Sequence, residues 1–101
     1  MSNFSRKLKK FSNPRTAQRK ATKYLGKTAK LYPSKNPKKK YAVYDYKRDA
    51  WVNFGQIGYE DFTKHKDKQR RLRYLTRSKG IRGKWKDNKY SPNNLSIHIL
   101  W

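Results

Sequence analysis

Lys66, Arg70, Arg73 and Arg77 recur at i, i+4, i+7 and i+11, so in a helix they share one face. Guanidinium groups at that spacing can track a phosphate backbone, because each binds phosphate oxygens through a bidentate fork. Arg15, Arg19 and Lys23 form a second row, four residues apart. Lys38, Lys39 and Lys40, with Lys35 nearby, make a third basic cluster. Contacts of this kind give affinity without reading a base sequence. The plain alternative is a solvated helix face, which any soluble protein needs. Here almost no acids balance the rows, and that favours phosphate contact.

Two other groupings could do chemistry. Glu60, Asp61, His65 and Asp67 bring carboxylates and an imidazole close in sequence. Such a set could hold a divalent metal and cut nucleic acid. The plainer reading is helix-start chemistry, with acids favoured near an N-terminus. No second spaced acid or histidine motif supports catalysis, and His98 lies in an apolar segment where a packed core role is expected. Tyr44, Tyr46, Trp51 and Trp85 are interleaved with basic residues and could stack on single-stranded bases. Core packing is the expectation for them, since a small domain has few aromatics to spare. No glycine-rich phosphate loop is present, and Gly55 and Gly58 lack the flanking pattern of a nucleotide fingerprint.

The overall balance points the same way as the basic rows. Twenty-eight Lys and Arg against six Asp and Glu give the 101 residues a formal net charge of +22. Folding concentrates that charge, and self-repulsion opposes the compact state. A polyanion relieves the repulsion and releases its own counterions. The length fits one domain. Low mean hydropathy leans toward disorder, but fifteen aromatic residues can build a small core, and eleven of them fall between Tyr41 and Trp101. There are no cysteines, which excludes disulfides, thiolate zinc sites and cysteine nucleophiles. No apolar run reaches the roughly 18 residues of a membrane span, and no apolar stretch follows the basic start as in a signal peptide. A soluble protein is expected, intracellular or packed inside a particle.

These groups need elements to hold them. Residues 1–12 carry Arg6, Lys7, Lys9 and Lys10 with little to bury, and read as a flexible basic arm that orders only against a partner. Residues 13–101 read as a single small α+β domain. Asn13-Pro14 is a helix start and Gly26 a stop, so a helix is predicted from Pro14 to Leu25, with Ala17, Ala21, Tyr24 and Leu25 as its apolar stripe. A short edge strand is expected over Ala29–Tyr32, ahead of Pro33. Tyr41–Tyr46 and Ala50–Phe54 read as a hairpin around Lys47-Arg48-Asp49. Both alternating sets of the hairpin contain aromatics, so its buried face stays open. A helix is predicted from Lys66 to Lys79, with Asp61 or Thr63 as a cap and Leu72 and Leu75 as an apolar stripe. Ile81–Tyr90 reads as a basic loop. Ser91-Pro92 restarts structure, and Leu95–Trp101 alternates as a strand would, although helix is preferred. The expected fold class is α+β in the order α-β-β-β-α-α, a small antiparallel sheet of two or three strands. One sheet face should pack on Leu72, Leu75, Leu95 and Ile99, with Trp101 plugging the core.

A set of short blocks carries a resemblance. They are Val52-Asn53-Phe54-Gly55-Gln56, then Tyr59 through Asp67, then Arg70-Arg71 with Tyr74-Leu75, then Tyr90 through Leu95, and finally Leu100-Trp101. Together, over residues 41–101, they resemble a family of small basic proteins encoded by large nucleocytoplasmic DNA viruses and described only as a domain of unknown function. The resemblance implies a viral origin, in a virion or the interior of a host cell, and brings no activity, ligand or catalytic residue.

The expected function is therefore non-enzymatic binding of nucleic acid, DNA sooner than RNA, through Lys66, Arg70, Arg73, Arg77, Arg15, Arg19, Lys23, Lys38, Lys39 and Lys40. No cofactor or metal is expected. A structural virion protein whose basic surface bridges acidic virion proteins is the alternative, and a metal-dependent nuclease the third reading.

Overall fold

The computed structural model describes residues 4–101, and its element order is the expected one. Helix α1 (Arg6–Lys9) and helix α2 (Pro14–Leu25) precede strands β1 (Tyr32–Pro33), β2 (Lys39–Asp45) and β3 (Ala50–Gln56). Helices α3 (Phe62–His65) and α4 (Lys68–Lys79), a 3-10 turn (Lys84–Asp87) and α5 (Pro92–Leu95) follow, with α5 continuing into a π-helical turn at Ser96–Leu100. The sheet is antiparallel, in the order β1-β2-β3. No helix among the described residues is long and apolar enough to cross a membrane.

Local chemistry accounts for most boundaries. The Asn13 carboxamide accepts from the Thr16 N–H at 3.3 Å and Pro14 opens α2, while Gly26, at φ 118°, closes it. Asp61 caps α3 and Asp67 caps α4. Ser91 caps α5, its hydroxyl accepting from Asn94 N–H at 3.2 Å. In the hairpin turn Asp45 accepts from the N–H groups of Lys47 and Arg48, and Asp49 takes a left-handed conformation. The edge strand begins later than expected because Gln18 of α2 occupies the preceding backbone. Its side chain donates to Ala29 O at 2.9 Å and accepts from Leu31 N–H at 2.8 Å.

The pairings Tyr41↔Phe54 and Val43↔Val52 put these residues on one sheet face, and Tyr44↔Trp51 and Tyr32↔Ala42 on the other. The first face carries the core. Tyr41, Val43 and Phe54 pack with Leu8, Ala17, Ala21, Leu31, Leu95, Ile99 and Leu100. Ala17 and Ala21, both fully buried, let α2 approach the π-helical turn closely. Leu95 and Ile99 are buried as expected. Leu72 is not: it is 66% exposed, and Leu75 is half-buried. Helix α4 docks through Tyr74, Leu75 and Ser78 instead, because Trp101 offers Tyr74 a flat stack at 4.2 Å. Trp101 is thus a seat for α4 at the core's edge rather than its plug. Ile99 and Leu100 have already filled the interior.

Of the arm expected over residues 1–12, the part from Phe4 onward packs against the domain, while residues 1–3 lie outside the described residues. Leu8 supplies the anchor that the basic composition hides, and it is buried in the core. Ser5 caps α1, accepting from Leu8 N–H at 3.1 Å. Phe4 meets Tyr41 edge-to-face at 5.5 Å. Leu8→Ala is expected to lower stability by about 2–4 kcal/mol, the usual cost of emptying a buried leucine site. Urea unfolding checks this, and a truly loose arm would leave the midpoint unmoved.

Candidate nucleic-acid interface

Helix α4 is a nearly bare cationic rod. Its twelve residues include no acid, and only Ser78 is buried. Arg71 is tied down, its Nε donating to Trp101 O at 2.6 Å while the guanidinium lies 5.5 Å from the Phe62 ring. Arg70, Arg73 and Arg77 turn away from that docking side and are exposed. Arg70 pairs with Glu60 at 3.9 Å, both side chains being well exposed, and also lies within the field of the Asp67 carboxylate that caps the helix. Like charges at i, i+3 and i+4 on a helix destabilise it by about 0.2–0.5 kcal/mol per pair. The rod therefore holds uncompensated repulsion that a polyanion would relieve.

Lys66 does not belong to this rod. It occupies a left-handed position at φ 57°, capping α3, and the helix starts only after Asp67. Asp67 accepts from the N–H groups of Gln69 and Arg70, and these bonds, the Arg70 one above all, hold its carboxyl below the usual range.

Arg15, Arg19 and Lys23 are exposed on the side of α2 opposite Ala17 and Ala21, as their spacing predicts. The fold adds cations that no helical row shows. Lys9, Arg15 and Lys64, from three elements, line one open depression beside Phe4. Lys20 lies half-buried near Arg71, and burial first, then the Arg71 charge, push its pKa down. His98 is exposed rather than packed in the core, and stacks on Tyr24 at 4.3 Å. Partial desolvation, then the ammonium groups of Lys79, Lys20 and Lys89, lower its pKa. Lys89 also lies 5.2 Å over the Tyr24 ring. Cations from α2, the end of α4 and the following loop thus converge around His98. Their sequence separation conceals this.

The lysine run divides into three environments. Lys38 is exposed, Lys39 is half-buried, and Lys40 is only 3% exposed. Lys40 Nζ donates to Tyr59 O at 2.7 Å, Asp61 Oδ2 at 3.0 Å and Phe11 O at 3.4 Å. Its expected place among the phosphate ligands is therefore corrected. Asp61 demands a buried cation, and the strand end carries Lys40 to it. Burial pushes the Lys40 pKa down, while the Asp61 charge and hydrogen bond oppose this.

Asp61 is fully buried at the centre of a polar network. Thr63 donates to Asp61 Oδ1 from both N–H and hydroxyl. The Thr63 hydroxyl pairs with Ser12 at 3.1 Å and accepts from Asn13 N–H at 2.9 Å, and Tyr41 OH donates to Ser12 at 2.7 Å. The network ties the N-terminal segment to β2 and α3. It also accounts for the acid–histidine cluster. Asp61 serves Lys40, Asp67 caps α4, and His65 Nδ1 accepts from Asp67 N–H at 2.8 Å. Among the described residues no three acids or histidines gather as a metal site.

The aromatic candidates are redistributed as well. Tyr44 and Trp51 lie on the sheet face away from the core, with Tyr46 just beyond β2, contrary to the core role expected of them. Trp85 is occupied locally. Its Nε1 donates to Ile81 O at 2.7 Å, and its carbonyl accepts from Ser91 and Asn94.

No curated protein and no solved structure matches the chain. Residues 29–78, just under half of the chain, are similar to a family described as a family of unknown function (DUF5754), a stretch that takes in the whole sheet, α3 and nearly all of α4.

Proposed function

We propose that this protein binds nucleic acid through backbone phosphates, with low sequence specificity and no catalytic step of its own. One observation carries the reading: α4 presents Arg70, Arg73 and Arg77 to solvent from a helix that contains no acid and docks through its opposite side. The wider charge pattern supports it. Three ion pairs form among the described residues, against 28 Lys and Arg in the chain, so most of the cationic surface has no carboxylate partner. Arg15, Arg19 and Lys23 on α2, with Lys38 and the cations around His98, extend the surface. DNA is the preferred partner. The setting, a virion or the interior of an infected cell, rests on the sequence resemblance alone. Asp61, the central acid of a nuclease reading, is spent on Lys40 and offers nothing to a metal.

The test is binding to labelled duplex DNA, single-stranded DNA and an acidic polypeptide, each titrated across salt. Affinity for DNA should fall steeply and log-linearly with salt, and should exceed that for the acidic polypeptide at equal salt. Equal binding to all three, vanishing near physiological salt, would replace this reading with a scaffolding role toward acidic virion proteins.

A further inference from the structure

The sheet face turned away from the core carries four aromatic rings in a row across all three strands. Tyr32 of β1 meets Trp51 of β3 at 5.4 Å, Trp51 meets Tyr44 of β2 at 5.3 Å, and Tyr44 meets Tyr46 at 4.8 Å. All three contacts are edge-to-face, with interplanar angles between 71° and 83°, and none is a flat stack. The row is also open, with Trp51 55% exposed and Tyr46 72%. Among the described residues, α2, α5 and the π-helical turn gather on the opposite, Tyr41–Phe54 face. A protein of this size that leaves its largest side chains in water forgoes burial it could have used.

The surroundings of the row are basic. Lys30 Nζ sits 5.5 Å over the Tyr32 ring. Lys47 and Arg48 follow Tyr46 directly in the hairpin turn, and Lys35 lies beyond β1, all exposed, although the Arg48 guanidinium is shared with Asp45 at 3.4 Å and Asn88 at 3.0 Å. Asp49 is the exposed acid of that turn. An apolar, flat surface framed by ammonium and guanidinium groups suits a ligand that is itself flat and apolar in one part and anionic in another.

We infer that this face is a stacking platform for single-stranded nucleic acid, with bases on Trp51 and Tyr46 and phosphates on the surrounding cations. The inference rests on the nucleic-acid reading and specifies its strand state and location. Charge decides between occupants. A second copy of this chain would bring another +22 against the same surface. An apolar protein partner would leave the surrounding cations unanswered. A duplex keeps its bases stacked inside and has no ring face to give. An unpaired strand supplies both ring faces and phosphates. The cationic rod of α4 and this platform then serve different parts of the ligand: the rod takes phosphates in any strand state, the platform takes bases only where they are unpaired.

The experiment compares the full chain with Trp51→Ala, Tyr46→Ala and Trp51→Phe, measuring affinity for a thymidine oligonucleotide and for a duplex at one salt concentration, with salt slopes for both. Loss of one stacked ring should weaken single-strand binding between about 5- and 150-fold and leave duplex affinity and both salt slopes unchanged. Trp51→Phe should restore most of the loss, because it keeps a ring. Thermal melts confirm that the variants fold, as exposed positions should permit. Equal losses on duplex and single strand, or no loss on either, would overturn the platform while leaving phosphate binding standing. Binding of neither nucleic acid by the unaltered protein would overturn both. A sedimentation shift from dimer to monomer in Trp51→Ala would make a second copy the occupant and overturn the single-strand assignment.

Discussion

If α4 binds phosphates as proposed, replacing Arg70, Arg73 and Arg77 together by glutamine should lower affinity for duplex DNA on the order of 100-fold at 0.15 M salt, because each lost phosphate contact removes about 0.9 from the slope of log K against log salt. The slope itself should flatten by about 2.7 for three contacts. Folding should survive the change. All three side chains are exposed, and the docking side of α4, formed by Arg71, Tyr74, Leu75 and Ser78, is untouched. Removing like charges at helical spacing should even steady the helix slightly. Measuring K at four or five salt concentrations for both proteins separates this outcome from a solvated helix face. A slope that stays at the unaltered value in the triple variant would move the phosphate contacts off α4, leaving α2 and the cations around His98 as the remaining surface. The magnitude is an upper figure for Arg70, whose guanidinium is shared with Glu60 at 3.9 Å.

Lys40→Met should have the opposite signature: a large loss of stability with no loss of DNA affinity. The substitution strips the cation from Asp61, a carboxylate with 0% exposure, and breaking a buried pair in this way costs about 3–5 kcal/mol. For a chain of this size that corresponds to a fall in Tm of more than about 10 °C. Asp61→Ala should be at least as damaging, because it also removes the cap of α3 and the acceptor for Thr63. Replacing both partners with apolar residues, Lys40→Met with Asp61→Leu, should recover part of the loss, since the penalty comes largely from the abandoned charge. Calorimetry on the three variants and DNA titration at low temperature, where each remains folded, provide the check. A Lys40→Met protein that melts normally but binds DNA weakly would return Lys40 to the phosphate surface and refute the buried pair.

These two substitutions affect residues that look alike in the sequence. Lys40 ends a run of three lysines, and nothing local distinguishes it from Lys38 or Lys39. What distinguishes it is Asp61, twenty-one residues away, held in place by Thr63 and by Asp61 N–H donating to Phe11 O at 3.0 Å. Leu8 is similar. Surrounded by Arg6, Lys7, Lys9 and Lys10 it reads as part of a solvated arm, yet it is buried in the core and, with Phe4 against Tyr41 and Ser12 in the Asp61 network, holds the segment in place. Leu72 errs the other way. Its spacing with Leu75 marks an apolar stripe, but Trp101 takes Tyr74 as its partner and rotates α4 until Leu72 faces water. His98 likewise sits in an apolar run and still emerges at the surface, because the π-helical turn places Ile97, Ile99 and Leu100 inward and leaves the imidazole on the outside.

What the residues determine by themselves is whatever depends on near neighbours. Capping chemistry at Asn13-Pro14 and Ser91-Pro92, the glycine stop at Gly26, the strand-forming aromatics of the hairpin and the exposed arginine row of α4 are all legible, and so are the α+β order and the charge of +22. Those features follow from backbone preferences and Coulomb repulsion, which need no partner across the fold. Only the tertiary structure decides which face of the hairpin is buried, which lysine is spent inside, and which cations meet around His98. Both hairpin faces carry aromatics, so local pattern cannot choose between them. The choice falls to the face that α2, α5 and the π-helical turn can cover, and it leaves Tyr32, Tyr44, Tyr46 and Trp51 in a row on the other side.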